Sequence, residues 1–147
     1  MKDFNLDDAI GYQIERTEQC LKRELRRAFS ERGLDITPYQ WTILYRLWER
    51  EGETQAEIAE TTIKDKPTIT RMIDLLEKKQ LVYREKDKND RRVYKIYLTD
   101  SGKELKSVLP EIVKEHLHKA GQGIPPEDLA KVKEVLSKIR ENFENGV

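Results

Sequence analysis

The chain has 147 residues, 37% of them hydrophobic, and its 28 Lys and Arg balance its 28 Asp and Glu. This length can bury one hydrophobic core, and few Gly and Pro residues favour a helix-rich globular protein. No segment approaches the roughly 18 uncharged apolar residues of a membrane span, and the acidic start lacks a signal-peptide pattern, so neither is expected. A single cysteine, Cys20, excludes an internal disulfide and predicts a reducing, cytoplasmic location.

The charges are unevenly distributed along the chain. Residues 64–95 contain 11 Lys and Arg but 6 Asp and Glu, a net charge of +5 that leaves −5 for the remainder. A basic segment of this kind is the electrostatic signature of a nucleic-acid-binding surface, which the zero net charge of the whole chain hides. The alternative is that these are ordinary charges on solvated helix surfaces.

Apolar spacing predicts two helices at the start of the chain. Residues 6–29 repeat apolar side chains at helical intervals, and Gly33 is a plausible stop signal. Thr37 and Gln40 then have the spacing of a capping box, which predicts the start of a second helix. The apolar residues predicted to line one face of this second helix are Trp41, Leu44, Tyr45 and Trp48.

Two shorter helices and a tight turn are predicted next. Thr54 begins a third helix, and Asp65 caps a fourth, in which Pro67 is tolerated because the first turn needs no N–H from it. The predicted core stripe of the fourth helix consists of Ile69, Met72, Ile73 and Leu76.

A β-hairpin and two further helices complete the predicted elements. Residues 81–85 and 93–98 are β-prone runs on either side of a polar tip, so they should pair. Thr99 can cap a fifth helix, in which Pro110 predicts a kink or one lost hydrogen bond. After a break at residues 121–126, apolar positions from 129 to 143 predict a final helix.

The order of these elements matches a winged helix-turn-helix, in which the second helix of the motif enters the major groove of DNA. The predicted fold class is therefore mainly α with a small β-wing. Thr, Pro and Arg side chains on the polar face of the fourth helix suit contacts with base edges, thymine methyl groups and phosphates, although ordinary solvated residues are the alternative. The residues predicted to contact DNA from this helix are Lys66, Pro67, Thr68, Thr70 and Arg71.

Two segments resemble the MarR family of winged-helix transcriptional regulators. Residues 90–102, DRRVYKIYLTDSG, fit the family's wing pattern of D-x-R, an apolar strand and L-T-x-x-G. Residues 65–82 resemble the family's recognition helix and its exit into the wing. Gln80 stands where a glycine is common, which should strain a turn, and Pro67 replaces a more usual serine, which removes a hydroxyl that could contact DNA.

The resemblance implies roles for the wing tip. It places Arg92 in the minor groove of DNA, with Asp90 holding the guanidinium group in position. The neighbouring cations Lys86, Lys88 and Arg91 are expected to contact phosphates. The implied function is a sequence-specific, double-stranded-DNA-binding transcriptional regulator.

Helices outside the minimal DNA-binding part carry apolar stripes, which predicts a homodimer interface, unless the stripes pack within one monomer. We expect one MarR-like domain over residues 1–147, with a winged helix-turn-helix core at 35–103 and dimerisation helices at 1–33 and 104–147. A two-fold dimer binds half-sites about one helical turn apart, so the predicted partner is a pseudo-palindromic operator.

The resemblance also implies a repressor that a small aromatic or anionic effector releases from DNA. Such a ligand must favour a spacing of the two recognition helices unlike the DNA-bound one. The aromatic residues on the helices that would surround a ligand are Tyr12, Tyr39, Trp41 and Tyr45, although packing in the core is the alternative for them.

Other functions have weaker support. Cys20 makes a thiol-based redox sensor an alternative, because one branch of the family carries a reactive cysteine on its first helix, although about two turns earlier.

His116 and His118 point about 200° apart on a helix and cannot share an ion, so no metal site and no cofactor are predicted. A winged-helix module for protein contacts would not need the basic D-x-R tip, and no catalytic grouping predicts an enzyme.

Overall fold

The computed structural model describes residues 3–62 and 64–145, which form two compact units that divide between Val113 and Lys114. The first unit contains a 3-10 helix (Leu6–Asp8), α1 (Ile10–Glu31), α2 (Pro38–Glu49), β1 (Glu53–Thr54), α3 (Gln55–Thr62), α4 (Lys66–Lys78), β2 (Val82–Lys86), β3 (Tyr94–Leu98), α5 (Asp100–Glu104) and a second 3-10 helix (Leu105–Ser107). Helix α6 (Leu109–Ala120) crosses the division, and α7 (Pro126–Glu144) lies in the second unit. The predicted fold class, mainly α with a small β-wing, is confirmed.

The first predicted helix is interrupted near its start. The side chain of Asn5 accepts a hydrogen bond from the N–H of Asp7 and caps a separate 3-10 turn, and Ala9 then has an extended backbone. Helix α1 therefore begins at Ile10 and not at Leu6. The predicted stop is confirmed, because Gly33 follows α1 with a φ of +73°, a conformation that glycine adopts without strain.

The capping box of α2 is confirmed, and the predicted apolar face of that helix is buried only in part, because Leu44 is buried, Trp41 and Trp48 are partly buried against the core and Tyr45 is exposed. The N–H of Gln40 donates to Thr37 Oγ1 at 3.1 Å, and the N–H of Thr37 donates to Gln40 Oε1 at 3.1 Å. The buried side chains of α2 are Gln40, Ile43, Leu44 and Leu47.

Three aromatic residues of α2 form a separate stripe beside that buried face. The Trp41 ring contacts the rings of Tyr45 and Trp48, with centroids 5.4 and 5.9 Å apart, and Tyr45 is exposed. Trp48 lies at the edge of the core because its indole N–H needs a polar partner, which it finds 2.9 Å away in the carbonyl oxygen of Gly102.

The wing is a three-stranded antiparallel sheet in the order β1-β3-β2. The predicted hairpin of β2 and β3 is confirmed, with Tyr83 opposite Tyr97 in the register. Strand β1, which pairs Glu53 with Ile96, was not predicted, because two residues cannot show an alternating pattern. Thr54 at its end also accepts a hydrogen bond from the N–H of Glu57 at 3.2 Å and so starts α3.

The core of the first unit lies between the helices and the wing sheet. Helix α4 contributes its predicted stripe, with Met72 only partly buried. The largest fully buried hydrophobic side chains of this core are Phe29, Ile43, Leu44, Leu47, Ile58, Ile69, Ile73, Leu76, Ile96, Leu109 and Ile112.

The segment after the wing is divided where one kinked helix was predicted. Thr99 caps α5 as expected, accepting from the N–H of Gly102 at 3.1 Å. The chain then passes through a 3-10 turn, and α6 begins at Leu109. Pro110 therefore lies in the first turn of a new helix, where its missing N–H costs no hydrogen bond.

The second unit contains the predicted final helix. Leu136 and Ile139 are half-buried within α7, whereas the apolar side chains of Val132, Val135 and Phe143 are exposed. Among the described residues, no helix is both long and apolar enough to cross a membrane.

Candidate nucleic-acid interface

Helix α4 begins at a charged cap. Asp65 Oδ1 accepts from the N–H of Thr68 at 2.8 Å, and hydrogen bonds from the Thr68 side chain and backbone lower the pKa of the Asp65 carboxyl below its ordinary value. The ionised carboxylate satisfies an N–H group that the helix itself leaves unpaired, so the first turn projects from a fixed start.

The predicted DNA-contacting face of α4 lies at the surface. Lys66, Pro67, Thr70 and Arg71 are exposed, and Thr68 is half-buried. The Thr70 hydroxyl already donates to the carbonyl oxygen of Lys66 at 2.9 Å and lies 3.2 Å from Gln55 Nε2. Gln55, which links α3 to this face, was not recognised in the sequence, because a polar residue at a helix start carries no distinguishing pattern.

The wing tip presents a preorganised arginine. The Asp90 carboxylate accepts from Arg92 Nε at 3.2 Å, from Arg92 Nη2 at 3.4 Å and from the backbone N–H of Arg92 at 3.0 Å. Hydrogen bonds from the Arg92 side chain and backbone lower the pKa of Asp90, so the pair stays charged. The Arg92 side chain is nevertheless 90% exposed, which leaves its cationic edge open to a ligand.

The other basic residues of the wing are exposed around a structured turn. The N–H of Asn89 donates to Asp87 Oδ1 at 2.8 Å, and the N–H of Asp87 donates to the carbonyl oxygen of Val93 at 2.9 Å. This turn displays Lys86, Lys88 and Arg91 on the same hairpin as Arg92. Four cations therefore surround one compact tip, in an arrangement suited to a polyanion.

Arg84, another cation of the basic segment, does not belong to this exposed set. Arg84 is paired with Asp74 and Glu77 of α4, and its side chain is 16% exposed. The sequence could not separate Arg84 from its basic neighbours, because its partners lie on another element.

The four aromatic residues considered as ligand contacts are in different surroundings. Tyr39 and Trp41 line a cavity of about 330 Å³ with residues of α1, α2 and α4. Tyr12 and Tyr45 are not among the residues that line this cavity, and each instead contacts a neighbouring arginine at 5.9 Å from the ring centroid. Two of the four residues therefore line the cavity, and Tyr45 contacts the Trp41 ring without being part of the lining.

Two lysines polarise the tyrosine at this cavity. Lys22 Nζ donates to the hydroxyl of Tyr39, and Lys64 Nζ lies 4.2 Å from the centroid of the same ring. The hydrogen bond that Lys22 donates to Tyr39 is the largest of the influences that lower the pKa of Tyr39, and a separate hydrogen bond from Lys22 lowers the pKa of Glu18. Burial acts to lower the pKa of Lys22, but its hydrogen bonds to Glu18 and Tyr39 raise it overall. The cavity wall is therefore rich in cations, and sequence reasoning missed both lysines.

Cys20, the residue of the alternative redox sensor, is not among the residues that line this cavity. Cys20 is exposed on α1, and Arg23 Nη2 lies 3.6 Å from its sulfur. Over residues 3–62 and 64–145, no group of three or more His, Cys, Asp or Glu side chains could hold a metal ion.

Comparisons with known proteins agree with this geometry. A model described as "MarR family" matches residues 36–94, which include α2, α3, α4, β2 and the wing tip. Over these residues the chain is similar to the MarR family.

Individual relatives extend the similarity to most of the chain. The HTH-type transcriptional regulator YybA of Bacillus subtilis strain 168, which is described as uncharacterized, is 26% identical over 77% of this chain and 75% of its own length. The Staphylococcus aureus MepR–DNA complex is 26% identical, with a TM-score of 0.83 over 92% of this chain and 98% of that chain. A mutant of Escherichia coli MarR complexed with operator DNA shares the fold, at 24% identity, with a TM-score of 0.84 over 95% of this chain and 99% of that chain.

Proposed function

We propose that this chain is a MarR-family regulator, a homodimeric repressor that binds a pseudo-palindromic operator in double-stranded DNA. The observation that carries the proposal is the wing tip, where Asp90 orients the exposed Arg92 within the same compact unit as the polar face of α4. Helix α4 would read base edges in the major groove, and Arg92 would enter the adjoining minor groove, where the potential is most negative over A·T-rich steps. MepR, solved as a DNA complex, supports this assignment as a relative.

Exposed apolar side chains support the homodimer. In the first unit, Phe4, Leu6 and Ile10 are 82%, 54% and 63% exposed in succession along the start of the chain. In the second unit, α7 exposes Val132, Val135 and Phe143. Apolar surface of this kind is usually covered by a partner, and a second copy related by a two-fold axis is the commonest one. Such a dimer would present two α4 helices to half-sites about one helical turn apart.

The proposal is tested by selecting genomic fragments with the purified chain. We expect a recovered inverted repeat whose half-sites lie about one helical turn apart, bound by two copies of the chain. Mass measurement of the complex gives the stoichiometry. Recovery of unrelated fragments without a repeat, at every salt concentration, would contradict an operator-binding dimer.

The salt dependence of binding gives a quantitative prediction. If each protomer neutralises about four phosphates through Lys66, Lys86, Lys88 and Arg91, the dimer should show a slope of roughly −7 in a plot of log K against log salt concentration. Fluorescence anisotropy with the recovered duplex measures this slope. A slope near zero would show that the wing cations do not contact the phosphates.

We also propose that a small effector with an aromatic ring and an anionic group regulates this repressor through the cavity beside Tyr39. Lys22 and Lys64 supply positive charge at the cavity wall, and Trp41, Leu25 and Ile43 supply apolar surface. Lys64 directly precedes Asp65, the cap of α4, so a ligand that attracts Lys64 acts on the start of the recognition helix. The ligand releases DNA only if it binds better to the conformation that does not fit DNA.

Benzoate and its uncharged analogue benzamide test this effector proposal. We expect benzoate to raise the melting temperature and weaken DNA binding, and benzamide to do so less, because it lacks the charge that the lysines attract. Lys22→Met should abolish the difference between the two compounds, whereas Tyr12→Phe, outside the cavity, should keep it. An equal response of Lys22→Met and the unaltered chain would contradict the proposed site.

A further inference from the structure

Arg84 connects the wing to the recognition helix. It lies on β2, and its guanidinium group reaches Asp74 and Glu77 of α4, with Nη2 2.6 Å from Asp74 Oδ1 and Nη1 3.1 Å from Glu77 Oε1. Nη2 also donates to the carbonyl oxygen of Thr70 at 3.4 Å. The backbone N–H of Arg84 donates to Glu77 Oε2 at 3.3 Å.

These contacts fix both the position and the orientation of β2 along α4. Residues 70, 74 and 77 lie on one face of the helix, over about two turns. The Arg84 side chain therefore contacts the helix at three positions along this face. A guanidinium group is planar, with donors in a rigid fork, so it fixes direction as well as distance. A lysine ammonium at this position would be a single point of charge without that geometry.

The ion pairs of Arg84 indicate that its role differs from that of the exposed cations at the wing tip. Asp74 and Glu77 are the acidic residues of α4, and carboxylates near a DNA-binding surface repel phosphates. Both are engaged with Arg84, whose side chain is 16% exposed, compared with 90% for Arg92. Arg84 is therefore oriented toward the helix, and Arg92 is open to solvent.

We propose that Arg84 is a positioning residue for DNA recognition. It holds the wing at a fixed offset from α4, so that the polar face of α4 and Arg92 reach the major and minor grooves at the same time, and it does not itself contact DNA. This inference rests on the proposed DNA-binding function. Its consequence is that the acidic residues of α4 favour specific binding, although their charge opposes binding to DNA.

The first test removes the two carboxylates with Asp74→Asn and Glu77→Gln in one variant. Electrostatics alone predicts tighter DNA binding after the loss of two negative charges. Positioning predicts instead that binding to the selected operator duplex weakens by about tenfold or more, while binding to a scrambled duplex does not weaken. The control variant Glu60→Gln with Glu85→Gln removes the same charge from α3 and from the opposite face of β2, and it should bind the operator at least as tightly as the unaltered chain.

The second test is a double-mutant cycle between Arg84→Met and Arg92→Ala. If Arg84 positions the wing, Arg92→Ala should cause a smaller fold-loss in operator affinity in the Arg84→Met background than in the unaltered chain. Arg84→Lys should behave like Arg84→Met, because a positive charge without the planar guanidinium group is not sufficient to position the wing. Circular dichroism and mass measurement verify that each variant is folded and dimeric under the binding conditions.

The outcomes separate the inference from the proposed function. Three results would overturn the positioning role. They are additive losses of operator affinity in the double-mutant cycle, unchanged operator affinity of Arg84→Lys, and tighter operator binding by the variant that carries both Asp74→Asn and Glu77→Gln. A salt slope reduced by about two units in the Arg84→Met dimer, one for each protomer, would instead identify Arg84 as a direct phosphate contact and also overturn the positioning role. If the unaltered chain binds no duplex, the proposed function itself fails, and the inference fails with it.

Discussion

Replacing Arg92 with alanine is expected to weaken binding to the operator duplex by at least about 1 kcal/mol, while the fold and the dimer remain intact. The side chain is exposed and makes its contacts with Asp90 within the same turn, so its loss leaves no cavity in the core. The effect should be larger for A·T-rich flanking sequence, because a narrow minor groove attracts the guanidinium group most strongly. Anisotropy titrations against duplexes that differ only in the flanks measure both quantities.

A matched control for this prediction is Lys103→Ala. Lys103 is an exposed cation on α5, outside the wing, so its replacement removes the same charge without altering the tip. We expect its operator affinity to lie close to that of the unaltered chain. Equal affinities for Arg92→Ala and Lys103→Ala would refute the minor-groove role of Arg92.

Replacing Gly102 with alanine is expected to destabilise the fold by about 1–3 kcal/mol, because the added methyl group has no free space around it. A Cβ atom at Gly102 would lie 2.1 Å from the carbonyl oxygen of Leu81 and 3.1 Å from Leu98 Cδ2. The first of these is backbone, which cannot move aside as a flexible side chain can. The carbonyl oxygen of Gly102 also accepts the indole N–H of Trp48, so any shift would disturb a second contact. Urea unfolding followed by circular dichroism measures the change.

Gly11 provides the control for this second prediction. It lies in α1, and a Cβ atom there meets nothing within 4 Å. Gly11→Ala should therefore leave stability unchanged or increase it by up to about 1 kcal/mol, since alanine favours a helix more than glycine does. If Gly102→Ala proves as stable as Gly11→Ala, close approach of the Leu81 backbone is not the reason for glycine at this position.

The parts of the fold that were predictable from sequence depend on local contacts. The Thr37–Gln40 capping box and the caps at Asp65 and Thr99 involve residues three positions apart, and the hairpin strands are close neighbours in the chain. The strain expected at Gln80 is also local, and its φ of +59° lies in the left-handed region that favours glycine.

The features that were missed depend on contacts between distant residues. Strand β1 exists because Glu53 pairs with Ile96, and the aromatic stripe of α2 ends at Trp48 because its partner is Gly102. A periodic pattern on one helix does not show which neighbour covers which face. The pairing of Arg84 with α4 was not predicted for the same reason, because a sequence gives the sign of a charged side chain but not its partner.

The candidate site was predictable in its residue types more than in its geometry. The exposure of Arg92 and its pairing with Asp90 agree with what the wing pattern implied, while the DNA contacts themselves remain predictions. At the cavity, aromatic residues suggested the region, but the two lysines around Tyr39 come from α1 and from the turn before α4. No single one of these three segments carries a sequence pattern that shows that they meet at this cavity.

Hydroxyl-radical footprinting of the selected duplex tests most directly whether α4 and the wing bind DNA together. With the unaltered chain, we expect protection in two segments about one helical turn apart, flanked by protected minor-groove segments. With Arg92→Ala at saturating concentration, the flanking protection should disappear and the two inner segments should remain. Identical footprints for the two proteins, or no protection even in dilute buffer, would contradict the account and favour a winged-helix module with a protein partner.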